Sequence, residues 1–180
     1  MMRYFNICQD KRIPYGVLLL GLNSIGGYYE YKKGNISALE DSFVSSVNSS
    51  PVNFYPDILD RQIFMVKGAV KETIDIFIPD IRYKHCCLID EQNSNYEQYY
   101  IPMFDIAEMH TGIQSRLYMF CREDSGDIEV LASLEFVEAL FRRTPTGCRV
   151  IPIEHPWTLC SNDNVVGLAH IKLGSYPVSN

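Results

Sequence analysis

The chain has 180 residues, a mass of 20.7 kDa and a formal net charge of -6, with 47% hydrophobic and 21% charged residues. That is ordinary globular usage for about one domain, and it excludes a wholly disordered, collagenous or coiled-coil chain. Sixteen basic residues against 22 acidic ones speak against nucleic acid and anionic lipid as partners, since both select clustered Lys and Arg.

The longest apolar run, Val17 to Leu20 with Leu22 beyond Gly21, is far short of the ~18 residues a membrane span requires and too poorly flanked for a secretory signal. The chain therefore reads as cytoplasmic, with its six cysteines reduced: Cys8, Cys86, Cys87, Cys121, Cys148 and Cys160. The acidity is uneven. Residues 1–50 carry five basic and four acidic side chains, residues 51–110 five and ten, and residues 111–180 six and eight. An acidic middle built from Asp90, Glu91, Glu97, Asp105 and Glu108 is suited to drawing in a basic partner.

In chain order, Arg3 to Cys8 alternates like a half-buried strand, and Tyr15 to Leu22 reads as a second, more buried strand. Gly26-Gly27 is a turn. Ile36, Leu39, Phe43 and Val47 recur at 3-4-4 spacing and predict a helix over 36–47. The polar run Ser45 to Pro51 reads as a linker, dividing an N-terminal β/α subregion (1–50) from the remainder (51–180).

Ile63 to Val66 is a short strand. Val70, Thr73, Ile74, Phe77 and Ile78 form the apolar stripe of a helix that Pro79 stops. Ile81 to Ile89 and Tyr96 to Phe104 predict a hairpin around the turn Asp90 to Asn95. Ser115 to Arg122 and Ile128 to Ala132 are strands around a turn at Glu123 to Asp127. Ser133 caps a helix carrying Leu134, Val137, Leu140 and Phe141, and Thr144-Pro145-Thr146-Gly147 ends it. Cys148 to Ile153 is a strand, and Val165 to Leu173 the last one.

Met65-Val66 … Val70 to Ile74 … Pro79 matches Leu131-Ala132 … Phe136 to Leu140 … Pro145 at a constant offset. The expected fold is therefore α+β: two strand-helix-strand repeats sharing one mixed sheet, with the N-terminal subregion packed against them.

No chemistry-bearing motif stands out. His85-Cys86-Cys87 and His155 … Cys160 … His170 lack zinc spacing, so no metal or cofactor is expected. Adjacent Cys86 and Cys87 point to opposite faces of a strand. Cys160 with His170 and Asn162 or Asp163 contains the residue types of a thiol hydrolase or transferase, which keeps a small enzyme open as an alternative. A regulatory domain with a small ligand is another. There is no phosphate loop and no G-x-S-x-G elbow. The twelve tyrosines cluster at Tyr28-Tyr29-Glu30-Tyr31 and Tyr96-Glu97-Gln98-Tyr99-Tyr100, and tyrosine serves strands and protein interfaces alike.

Between Pro51 and Glu154 the residues resemble a known family. Asn53-Phe54-Tyr55-Pro56-Asp57-Ile58-Leu59 followed by Gln62-Ile63-Phe64-Met65-Val66 is similar to its opening motif, with Lys67 where Ser is common. Glu129 to Leu140, then Thr146-Gly147-Cys148-Arg149-Val150-Ile151-Pro152-Ile153-Glu154, is similar to its close, with Val150 where an aromatic residue is usual. The family is a domain found among the immunity proteins of bacterial polymorphic toxin systems. The resemblance implies a cytoplasmic, non-enzymatic protein that neutralises a cognate toxin by occlusion. No catalytic residues come with it. Contact residues expected from charge and aromatic content are Asp90, Glu91, Glu97, Tyr96, Tyr99, Tyr100, Asp124 and Asp127.

Overall fold

A computed structural model describes residues 4–104, 117–121 and 128–153. The fold is α+β, with two separate sheets. Among the described residues the strands are β1 (Tyr4–Gln9), β2 (Ser42–Ser46), β3 (Ile58–Leu59), β4 (Met65–Val66), β5 (Arg82–Asp90), β6 (Asn95–Met103), β7 (Leu117–Cys121), β8 (Ile128–Ser133) and β9 (Cys148–Ile153). The helices are α1 (Tyr28–Lys32), α2 (Gly68–Phe77) and α3 (Leu134–Phe141), with short 3-10 turns at Leu22–Ser24 and Ile36–Ala38.

One sheet has the order β7-β8-β1-β9 and the other β2-β5-β6-β4-β3. The two strand-helix-strand units thus do not share a sheet: β4-α2-β5 builds the five-stranded one and β8-α3-β9 the four-stranded one. Each has the same local path. The strands flanking the helix run parallel to one another, with one antiparallel strand inserted between them. In the first unit the inserted strand is β6, the hairpin partner of β5. In the second it is β1, drawn from the start of the chain. The N-terminal residues therefore contribute to both sheets, β1 to one and β2 to the other.

The helices join the two halves. α2 buries Val70, Thr73 and Ile74, and α3 buries Phe136, Val137 and Leu140. Phe77 meets Phe136 edge-on at 5.2 Å between ring centroids, and Arg143 pairs with Glu72 across the same seam. Ser133 caps α3 by accepting a hydrogen bond from the Phe136 amide at 3.4 Å, as its position before Leu134 predicts.

The helix expected over 36–47 does not form. Ile36, Leu39, Phe43 and Val47 are all buried, but Ile36 lies in a 3-10 turn that Leu39 closes, Phe43 in β2, and Val47 in a bridge just beyond it. From 43 onward the buried side chains alternate as Phe43, Ser45 and Val47, a strand period that the buried hydroxyl of Ser45 conceals. Ser45 Oγ donates to Leu20 O at 2.9 Å, which satisfies the hydroxyl inside the core. The expected linker accordingly overlaps β2, which pairs in parallel with β5. The strand expected over 15–22 does not form: Tyr15 and Gly21 have positive φ and Leu22 opens a 3-10 turn, while the stretch between is joined to its neighbours by the bridges Gly16 to Phe54 and Leu19 to Val47 and by hydrogen bonds to Asn48 and Gln62.

A buried lysine fixes the approach to β2. Lys84 is 3% exposed and donates through Nζ to Ser37 O at 3.1 Å and to Leu39 O, with Asp41 Oδ1 at 3.2 Å. Its charge is held by carbonyl dipoles and one carboxylate. Gly27 makes the preceding turn possible. Its φ is +78°, and a Cβ there would lie 1.8 Å from Ala38 O.

Candidate functional site

The β5-β6 hairpin forms as the alternation on its strands requires. Lys84, Cys86, Leu88 and Asp90 are buried, while the intervening Tyr83, His85, Cys87 and Ile89 occupy the other face. Opposite them on β6 stand Pro102, Tyr100, Gln98 and Tyr96. α2 covers one end of this second face. Tyr83 donates to Asp75 Oδ1 at 2.8 Å, and the Lys71 ammonium lies 4.5 Å from the Tyr83 ring centre and 5.7 Å from that of Tyr100.

The other end of the face is open. Ile89 and Tyr96 pair directly, and Ser46 on β2 lies beside Ile89. The segment before β2 continues the row. Leu20 N donates to Ser46 O at 2.8 Å, and Leu19, which bridges Val47, is buried with it. Leu18 and Leu20 therefore face outward with Val44 and Ile89. Exposure is 49% at Leu20, 62% at Val44, 37% at Ile89 and 72% at Tyr96. These apolar side chains stand open side by side across adjacent strands, not scattered singly over the surface. An open depression of about 510 Å³ at its edge is lined by Cys87, Ile89, Asp90, Glu91, Ser94 and Tyr96, among others.

A polar clamp lies beneath the hairpin tip. Asp90 is 2% exposed, and its carboxylate accepts hydrogen bonds from Asn53 Nδ2 at 2.8 Å, Tyr55 OH at 2.9 Å, Asn93 N at 3.1 Å and Asn93 Nδ2 at 2.8 Å. Asn93 also reaches Ser50 O at 2.9 Å, so the tip is tied to the 48–55 segment. These donors, Asn93 first and then Asn53, hold the Asp90 carboxyl at about 2. Burial, and then the hydrogen bond to that carboxylate, push the Tyr55 phenol up.

The structure brings Glu91 and Tyr96 together at the open end, with Asp90 below them. It corrects two of the expected contact residues. Tyr99 is 0% exposed, a core side chain whose hydroxyl donates to Pro56 O at 2.6 Å, and it is no surface anchor. Asp90 is a buried clamp, not an exposed steering charge. Glu97 lies on the opposite face from Tyr96 and pairs with Lys67 at 3.3 Å. Tyr100 is half-buried beside α2, where His85 and Tyr83 pack edge-on to it. Asp124, Asp127, Cys160, Asn162, Asp163 and His170 lie outside the described residues.

Charge and aromatic content missed Leu18, Leu20, Val44 and Ile89. Alternation within each strand could have offered them, but only the register between strands puts them side by side. The sequence also gave no signal for Lys84, whose acceptors lie more than 40 positions away.

Among the described residues, no group of three or more His, Cys, Asp or Glu side chains could hold a metal ion, and no helix is long and apolar enough to cross a membrane. Burial pushes the thiols of Cys86 and Cys148 up to about 12 and that of Cys8 to about 11, the opposite of what a nucleophile needs. Cys86 faces away from His85, as strand alternation predicts. In the comparisons with known proteins, no family model matches the chain and no curated protein matches it.

Proposed function

We propose that this chain is a non-enzymatic binding protein of the immunity type, which acts in the cytoplasm and neutralises a cognate toxin by covering its working surface. One observation carries the reading: a tied-down hairpin presents exposed Tyr96 and Glu91 beside an open apolar sheet face. A backbone held in place before contact loses little entropy on binding, so an aromatic carried beside a clamped hairpin tip is a natural anchor. The resemblance across Pro51 to Glu154 supplies the kind of partner. The net charge of -6 favours a basic one. A standard interface would bury about 800 Å² on this side, so the contact would extend beyond the hairpin itself.

The test is co-expression with the C-terminal domain of a secreted protein encoded beside its gene. Growth is restored and the two proteins purify as a complex, with the toxin's mass unchanged. Failure to restore growth overturns the reading, as does the lack of any such neighbour. Growth restored through a covalently altered toxin would overturn occlusion and make the chain an enzyme.

A further inference from the structure

The open face extends well past the hairpin, and its shape and charge define what would fill it. Resting on the binding reading above, we infer that the docking surface runs from Leu18 and Leu20 across Val44 and Ile89 to Tyr96, and that its occupant is a cationic amphipathic helix of the partner.

The row Leu20, Ser46, Ile89 and Tyr96 crosses three strand spacings, or about 14 Å. An α-helix is about 10 Å thick and covers such a row with roughly nine residues. α2 already packs on this same face, and the open half beside it is the place a second helix takes in a layered fold. An added strand is a poor alternative at this end of the sheet. The outer edge of β2 there is already engaged, because Leu20 N donates to Ser46 O and Asn48 N donates to Leu18 O.

The charge requirement comes from what lines the surface. The alternate positions that the register puts on this face (Ser42, Val44 and Ser46 on β2, then every second residue from Tyr83 to Ile89 and from Tyr96 to Pro102) hold no Lys or Arg, and Lys71, which α2 brings over Tyr83 and Tyr100 at the covered end, is paired with Asp75. Asp90 and Glu91 line the depression at its edge. The hydrogen-bond donors on Asp90 are amides and a phenol, all neutral, so no cation among them cancels its negative charge. An apolar ridge meets the leucines, valine and isoleucine, and Lys or Arg on its flank meets the exposed Glu91 carboxylate, with the buried charge of Asp90 adding to the field behind it.

The experiment uses the full chain and a synthetic 14-residue helical peptide with Leu along one face and Lys on the flanks. Its controls are the same peptide with Glu for Lys and the same peptide with Ser for Leu. Amide resonances of Leu20, Val44, Ile89 and Tyr96 should shift with the Leu/Lys peptide and with neither control. The double variant Leu20→Lys, Val44→Lys, at exposed positions where the fold is kept (checked by circular dichroism), should weaken binding about ten-fold or more. Equal binding of the Leu/Glu peptide, shifts confined to another surface, or an unaffected double variant would each overturn the surface. If the double variant still protects cells from the toxin, the toxin docks elsewhere and this inference falls, while neutralisation stands. If the unaltered chain gives no protection but takes the Leu/Lys peptide at these amides, the surface stands and neutralisation falls.

Discussion

Tyr99 and Tyr96 sit three residues apart on one strand, and the structure gives them opposite roles that a pair of substitutions separates. Tyr99→Phe keeps the ring in the core and deletes only the hydroxyl that donates to Pro56 O at 2.6 Å. A neutral hydrogen bond contributes about 0.5–1.5 kcal/mol net, and a buried carbonyl left without a donor costs about 1–3 kcal/mol. Removing the hydroxyl also removes its own dehydration cost, so the expected loss is about 1–2 kcal/mol. For a chain of this size that lowers the Tm by roughly 3–6 °C. Urea unfolding should show a lower midpoint at an unchanged slope, because the surface exposed on unfolding is the same. Tyr96→Ala, at a 72% exposed position, should leave the midpoint within about 0.5 kcal/mol and weaken partner binding. A Tyr99→Phe variant that unfolds like the parent but binds its partner less well would refute the reasoning, by returning Tyr99 to the surface.

Two further substitutions probe the seam and the clamp. Phe136→Ala removes a 1% exposed side chain and its edge contact with Phe77, and should cost about 3–5 kcal/mol, read from the urea midpoint. A loss below about 1 kcal/mol would mean that the two helices do not hold the halves together. Asp90 has its folded pKa lowered from 3.8 to about 2. As pH falls, the unfolded chain takes up this proton first. The contribution is therefore present above about pH 4 and lost as the pH drops through about 2. Asp90→Asn should flatten acid destabilisation in that window and speed amide exchange over residues 91–95. An unchanged acid profile would remove Asp90 from the account.

Local order was largely legible in the sequence. The hairpin, the strands around both helices, the Ser133 cap and the proline stop at 79 all follow from patterns within a dozen residues. The offset linking Val70 to Phe136 falls on α2 and α3, each of which stands between two strands. The assignment of those strand pairs to separate sheets was hidden, because it depends on β1 entering between β8 and β9 across well over 100 residues of chain. The false helix over 36–47 came from counting apolar positions. Ser45 broke the strand pattern in the sequence, yet its hydroxyl is as buried as its neighbours. At the candidate site, counting charge selected Asp90 and Glu97, but a count cannot separate a clamped or paired carboxylate from a free one.

The insertion of β1 has a consequence for biosynthesis. Tyr4 lies opposite Ile153 and Gln9 opposite Cys148. Of the strands described, β1 leaves the ribosome first and is among the last to be satisfied. At about 5–20 residues per second it waits roughly 7–30 s for its partner to be made. The β4-α2-β5-β6 half can assemble from neighbouring pieces during that interval. The other sheet closes only after translation has passed residue 153, and until then a nascent edge stands open for a chaperone to guard.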